Sequence, residues 1–257
     1  MKFDELDARM RAFETVRDSC AMPDVYLVTR LDGRGFTRLT KELLEFDKPF
    51  DVRFRDHMVA TVEHLMTCGF SPLFGYAQSD EISLLFGRDN GTFGRNVRKW
   101  TSVLAAEASA AFSVRLGHVA AFDCSVIELP GDCDVVDYFR WRNEDAARNA
   151  LNAWCYWTLR GEGVAADAAT SRLEGMSVAA KNELLFQRRT NFNDLPLWQR
   201  RGFGVLWVQH QRQAVNPKTG EPVTATRRRL EALFELPMRE DFSTFIRQLL
   251  SPPLPLA

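Results

Sequence analysis

The chain has 257 residues, 46% of them apolar and 26% charged, with a formal net charge of −1. That is long enough for a sizeable core and too evenly charged for a protein that coats nucleic acid by charge alone. No run approaches the roughly 18 apolar residues of a membrane span, and "MKFDELDARM" lacks the apolar segment of a secretory signal, so the expectation is a cytoplasmic protein without a membrane partner. Cys20, Cys68, Cys124, Cys133 and Cys155 are odd in number and show no C-x-x-C spacing, which suggests neither a disulfide framework nor a zinc site. From residue 181 onward there are 12 Lys/Arg against 7 Asp/Glu, a basic stretch able to meet phosphates or to form a solvated face.

In chain order, residues 4–18 carry Leu6, Met10, Phe13 and Val16 on one helical stripe. "VYLVTRLD" reads as a strand with Tyr26, Val28, Arg30 and Asp32 on one face and Val25, Leu27, Thr29 and Leu31 on the other. "DVRFRDHMVATVEHLMTC" is an amphipathic helix, and "LFGYAQSDEISLLF" a β-hairpin. A helix is expected over Phe93–Leu116, a strand in "HVAAFDCSVIELP", a long helix in "DVVDYFRWRNEDAARNALNAWCYWTLR" and at least one shorter helix before residue 187. "FGVLWVQHQ" and "EPVTATRRRLE" form a late hairpin turned by "NPKTG", and "SPPLPLA" a frayed tail. The expectation is an α+β fold with a mainly antiparallel sheet, divided into a core over residues 1–135 and a C-terminal part over residues 136–257 of the same unit.

"RLDGRGF" places Asp32 at a strand end, and Asp80 and Glu81 follow one another in the hairpin. Adjacent strand residues point to opposite faces, so one of the pair shares a face with Asp32 and a turn lets both converge. Such carboxylates suit a Mg²⁺ cage, and two ions suit phosphoryl or nucleotidyl transfer. Gly33 and Gly35 then spare a backbone approached by metal or phosphate, although for the stretch taken alone a tight turn capped by Asp32 is the favoured account. The spacing is not that of a P-loop.

"RLDGRGF", "FDKPFD", "GYAQSDEISLLF", "DYFRWRNEDAARNALN", "AAKNELLF" and "LPLWQRRG" occur in this order. Together they resemble the tRNA-histidine guanylyltransferase family and its guanylyltransferase-like 3′ to 5′ polymerase relatives, over about residues 4–210. The resemblance implies a palm-like (ferredoxin-like) catalytic core with C-terminal helices and a hairpin. It implies catalysis by Asp32, Asp80 and Glu81, with two Mg²⁺ on Asp32, the Gly33 carbonyl and Asp80. Nucleoside triphosphates such as ATP and GTP are the implied substrates, facing the loop Gly33, Arg34, Gly35 and Phe36 together with Lys48, Ser79, Arg95 and Lys99. Arg95 and Lys99 are expected four apart on one helix face, although Gly94 and Asn96 stand where the family commonly has bases.

Transfer RNA is the implied partner, with Arg148, Asn149, Lys181, Asn182, Arg188, Arg189, Arg200 and Arg201 as candidate contacts and Arg227, Arg228 and Arg229 beside them. A homotetramer, a dimer of dimers, is also implied. Where the histidine-specific enzymes carry His-Ile-Asn-Asn, this chain has Ala147, Arg148, Asn149 and Ala150. The departure favours template-dependent repair of truncated tRNA 5′ ends, with ATP activating 5′-monophosphates, over addition of a single guanosine. A palm-fold nucleotidyl cyclase and a tRNA-binding module without catalysis are the remaining readings.

Overall fold

The computed structural model describes residues 2–40, 44–215 and 220–251. Helix α1 (Phe3–Thr15) precedes strand β1 (Tyr26–Arg34), which ends in the short helix α2 (Phe36–Arg38). Helix α3 (Val52–Leu65), strands β2 (Phe74–Gln78) and β3 (Glu81–Phe86), helix α4 (Val97–Leu116) and strand β4 (Ala121–Leu129) complete a β-α-β-β-α-β unit. The sheet order is β4-β1-β3-β2, the split arrangement of a ferredoxin-like fold. Strands β5 (Phe203–Val215) and β6 (Pro222–Leu233) extend it to six strands beyond β2, and every neighbouring pair is antiparallel. The palm-like α+β architecture expected from the motifs is therefore present.

Both faces of the sheet are covered, because side chains of alternating parity along β1 and β3 are apolar over most of their length. Leu27, Leu31, Ile82, Leu84 and Phe86 pack with Met58 and Val62 of α3 and Leu104 and Phe112 of α4. On the other face Tyr26, Val28 and Leu85 meet Val135, Val136 and Phe139 of α5 (Asp132–Gly161) and Phe242 and Ile246 of α9 (Glu240–Leu250). The C-terminal half of α5 buries a third cluster with α6 (Ala166–Leu173) and α7 (Val178–Phe186). Helix α5 crosses residue 135 and β5 hydrogen-bonds to β2, so both halves of the chain build one sheet.

Two features differ from expectation. Helix α4 starts at Val97 rather than Phe93, because Phe93, Gly94 and Arg95 take positive φ and Asn96 caps the helix, its side chain accepting from the Lys99 amide at 3.0 Å. The segment before residue 187 holds two helices, α6 and α7, in keeping with the expectation of at least one. Helices α8 (Leu197–Arg201) and α9 carry no counterpart in the sequence reading. Most of the "NPKTG" turn and the "SPPLPLA" tail lie outside the described residues. No described helix is long and apolar enough to cross a membrane.

Candidate active site

Asp32 and Glu81 are cross-strand partners in the β1–β3 pair, so both project toward α5. Ser79 and Asp80 form the two-residue turn between β2 and β3, with Ser79 at φ 54°. A non-glycine residue in that region marks a backbone held by its surroundings, and here the holding contact is the Gly33 amide donating to the Asp80 carbonyl at 3.1 Å. A Cβ on Gly33 would come within 2.5 Å of the Phe36 ring and 2.8 Å of the Asp80 Cβ. Gly33 thus lies within the strand, paired with Phe122, and is glycine because Asp80 and Phe36 close on it from the side. Gly35 is the turn residue, at φ 73° with open space where a Cβ would sit.

Burial pushes the Asp80 carboxyl above its ordinary range, partly offset by the Ser79 hydroxyl donating to it at 3.0 Å, and the charges of Asp32 and Glu81 push it further up. A half-buried carboxylate beside two others favours a cation, and Asp32, Asp80 and the Gly33 carbonyl form an all-oxygen donor set suited to Mg²⁺. Glu81 does not fit as a ligand. Its Oε2 accepts from Arg30 at 2.6 Å and its Oε1 is paired with Arg142 of α5. Among the described residues no three His, Cys, Asp or Glu side chains are arranged as a metal site.

Two cavities meet at the Ser79-Asp80 turn and share Pro49, Phe50 and Gln78. The first, about 180 Å³, is lined by Thr37, Phe46, Lys48, Arg55, Trp157 and Trp198 among others. Lys48 donates to the Thr40 carbonyl and lies 5.8 Å from the Trp157 ring centroid. The second, about 280 Å³, is lined by Asp32, Asp80, Glu81, Arg142, Asn149 and Ala153.

The family model described as tRNAHis guanylyltransferase matches residues 7–130, and that described as the Thg1 C terminal domain matches residues 133–235. A Drosophila melanogaster protein named "Probable tRNA(His) guanylyltransferase" is 30% identical over 223 residues, which are 81% of this chain and 77% of the relative. The tRNA(His) guanylyltransferase of Debaryomyces hansenii is 32% identical over 192 residues, 69% of this chain and 72% of that one. Among solved structures, a bacterial tRNA(His) guanylyltransferase-like protein in complex with ATP superposes with a TM-score of 0.74 at 25% identity, covering 95% of this chain and 99% of its own. This chain belongs to the tRNA(His) guanylyltransferase family. Family members are nucleotidyltransferases that add a nucleotide to tRNA, and this chain is one of them.

Within this guanylyltransferase-family chain, several of the expected contact residues have intramolecular partners. Arg95 lies in a 3-10 turn, not on α4, so it shares no helix face with Lys99. It is buried, and its guanidinium donates to the carbonyls of Arg88, Asn90 and Val25 at 3.0, 3.3 and 2.9 Å. Val25 is seven residues before Asp32 along an extended stretch, roughly 23 Å away, so the Arg95 guanidinium is anchored at the end of the sheet far from the carboxylates. The Phe36 ring packs against Phe54, Phe112 and Phe122 and also lines the Lys48 cavity. Arg34 does not line the Lys48 cavity; it faces a separate cleft with Arg38 and His118.

In the C-terminal half, Arg188 grips Glu162 through two donors at 2.6 and 3.1 Å, and Arg200 donates to the Leu195 carbonyl at 2.8 Å. Arg201 donates to Asn143 at 2.8 Å, while its own carbonyl accepts from the Tyr76 hydroxyl at 2.7 Å. Lys181 donates to Asn152 at 2.9 Å and Asn182 to the Val178 carbonyl within α7. Arg188, Arg200 and Arg201 therefore each brace a helix through part of their guanidinium donors. Arg148 and Arg189 are exposed. Asn149 alone of these candidates lines a cavity beside the carboxylates. Arg142, which the sequence reading left out, sits at the centre of the site; the signal was its place in "RWRNED", three and seven residues before Asp145 and Asn149 on one helix face.

Proposed function

We propose that this protein adds nucleotides to the 5′ end of tRNA in the 3′ to 5′ direction, directed by the opposite strand, with Mg²⁺ held by Asp32, Asp80 and the Gly33 carbonyl. The observation that carries the reading is the pair of cavities meeting at the Asp80 turn, one for each reactant. The Lys48 cavity offers a cation and aromatic rings to a nucleoside triphosphate, consistent with a neighbour solved with ATP and a second solved with GTP. The Asn149 cavity offers α5 to the RNA end. Bound Mg²⁺ would supply activation of a hydroxyl and neutralisation of phosphate charge.

The incoming nucleotide's 3′ oxygen bonds to the phosphorus at the RNA 5′ end, the hydroxyl proton departs and pyrophosphate leaves a triphosphorylated end. A 5′-monophosphate is first adenylylated, its oxygen displacing pyrophosphate from ATP, and AMP leaves in the second step. The chain's residues bring the two ends together at Asp80 and exclude bulk water by Phe50, Trp157 and Trp198. Ala147, Arg148, Asn149 and Ala150 provide no histidine for a tRNA-specific contact, which leaves base pairing to choose the nucleotide.

The β5–β6 ribbon continues past its pairing with β2, which ends at Leu206, and on one face carries Arg212, Arg227 and Arg229. Arg227, opposite His210, suits an RNA phosphate, and replacing it by Ala should weaken RNA binding and lower the salt slope by about 1. The exposed stripe of Phe3, Met10 and Phe13 on α1 supports the homotetramer, readable by light scattering. The deciding assay offers a tRNA lacking its first nucleotide with each of the four triphosphates and Mg²⁺. The complement of the opposing base should be added; guanosine alone, added only to histidine tRNA, would reverse the reading.

A further inference from the structure

Five charged side chains alternate in sign from α5 to the strand end. Asn149 donates to Asp145 at 3.1 Å, and Asp145 lies 3.5 Å from Arg142. Arg142 pairs with Glu81, Glu81 pairs with Arg30 at 2.6 Å, and Arg30 reaches Asp32 at 3.2 Å through the same nitrogen. The inner link is the more enclosed, with side chains of Arg142 and Glu81 10% and 16% exposed against 36% and 47% for Arg30 and Asp32. Arg142 and Arg30 both leave their Nε buried without a hydrogen bond, so their partners lie at the terminal nitrogens. Asp32 and Asn149, the two ends of the series, line the same cavity.

We propose that Arg142 is a positioning residue that couples RNA engagement at Asn149 to the availability of Asp32. By fixing Glu81, Arg142 sets where Arg30 stands, and Arg30 shares its donor between Glu81 and Asp32. Held by Asp145 and Asn149, Arg142 keeps Glu81 against Arg30, and Arg30 is thereby kept from closing on the Asp32 carboxylate; an RNA end seated at Asn149 steadies this series, and loss of any member lets Arg30 turn to Asp32 and withhold it from the reaction. The inference rests on the proposed RNA-directed activity and adds a physical connection between its two halves. Such coupling is established by non-additivity, not by proximity.

The test is a double-mutant cycle of Arg142→Lys and Asn149→Ala in the full chain, with Asp145→Asn as a milder second probe. Lysine keeps the charge but cannot bridge Glu81 and Asp145 in a planar fork. Arg142→Lys should lower kcat on truncated tRNA tenfold or more, with calorimetric ATP affinity in the absence of RNA within twofold. Asn149→Ala should cost three- to fivefold in the parent and nothing further in the Arg142→Lys background. Asp145→Asn should reproduce a smaller kcat loss, which keeps the test alive if Arg142→Lys folds poorly. Additive losses, or a fall in ATP affinity matching the fall in kcat, would overturn the proposal in favour of a purely structural brace. Should the parent protein extend no RNA, the proposed function fails instead. The coupling is then read from Mn²⁺ affinity of the RNA-free protein, which Arg142→Lys should change at least threefold and which, unchanged, refutes it.

Discussion

The two ends of the sheet use charge in opposite ways. At the end near α2, Asp32, Asp80 and Glu81 crowd together with Arg30 and Arg142, and four of the five open onto a cavity. At the other end Arg95 is buried among three backbone carbonyls, its terminal nitrogens partnered without a carboxylate. A charge satisfied by fixed dipoles holds a fold together; charges set against each other beside a cavity are held there by the fold, at a cost to its stability. The same residue type, arginine, serves both uses, and what surrounds it decides which.

The strongest test of that contrast separates activity from stability. Asp32→Ala and Asp80→Asn should each reduce nucleotide addition by a factor of about a thousand or more, since electrostatic stabilisation at such sites supplies losses of that order. Asp80→Asn should at the same time raise Tm in metal-free buffer, because it removes one of three neighbouring negative charges and the one that burial penalises. A lowered Tm would mean that Asp80 is a structural residue of the hairpin and not a strained functional one. At the other end, Arg95→Met should cost about 3 kcal/mol in chemical denaturation, leaving the three carbonyls short of donors. The folded fraction should keep its affinity for nucleotide, measured by calorimetry; a selective loss of nucleotide binding would restore Arg95 to the phosphate role.

The carboxylate end was legible in the sequence for a physical reason. Strand alternation and a two-residue turn leave Asp32 and Glu81 almost no choice of direction, so "RLDGRGF" and "QSDE" determine a neighbourhood. Gly33 was legible as a necessity but not in its cause, which is the approach of Phe36 and Asp80 from elsewhere in the chain. The arginines were illegible because a long side chain on a helix or turn takes whichever partner the tertiary structure offers. Arg188 found Glu162, 26 residues away, and Arg201 found Asn143, 58 residues away. Arg95 was misplaced one step earlier. Three successive positive φ values at Phe93, Gly94 and Arg95 break a segment whose composition reads as helix.

Asp51 lies between these extremes, since it lines the Lys48 cavity yet is satisfied like Arg95. It caps α3, accepting from the Arg53 amide at 2.6 Å and the Asp47 amide at 2.7 Å, with the Arg53 guanidinium 2.6 Å away. Burial pushes its carboxyl up, but the Arg53 side chain and these two amides overcome that and hold it at about 2, against 3.8 for an unperturbed group. The folded state therefore prefers ionised Asp51, and the stabilisation is fully present above the unfolded value and lost as pH falls from there toward 2. The linkage is worth about 2 kcal/mol at neutral pH, and Asp51→Asn should remove most of it while keeping an N-cap oxygen. Denaturation of the two proteins at pH 7 should differ by nearly that amount, and the gap should narrow only below about pH 4. A gap that closed instead between pH 6 and 7 would assign the pH dependence to a histidine. The cavity would then lack the rigid floor that sets the Lys48 side of the site apart from the strained carboxylate side.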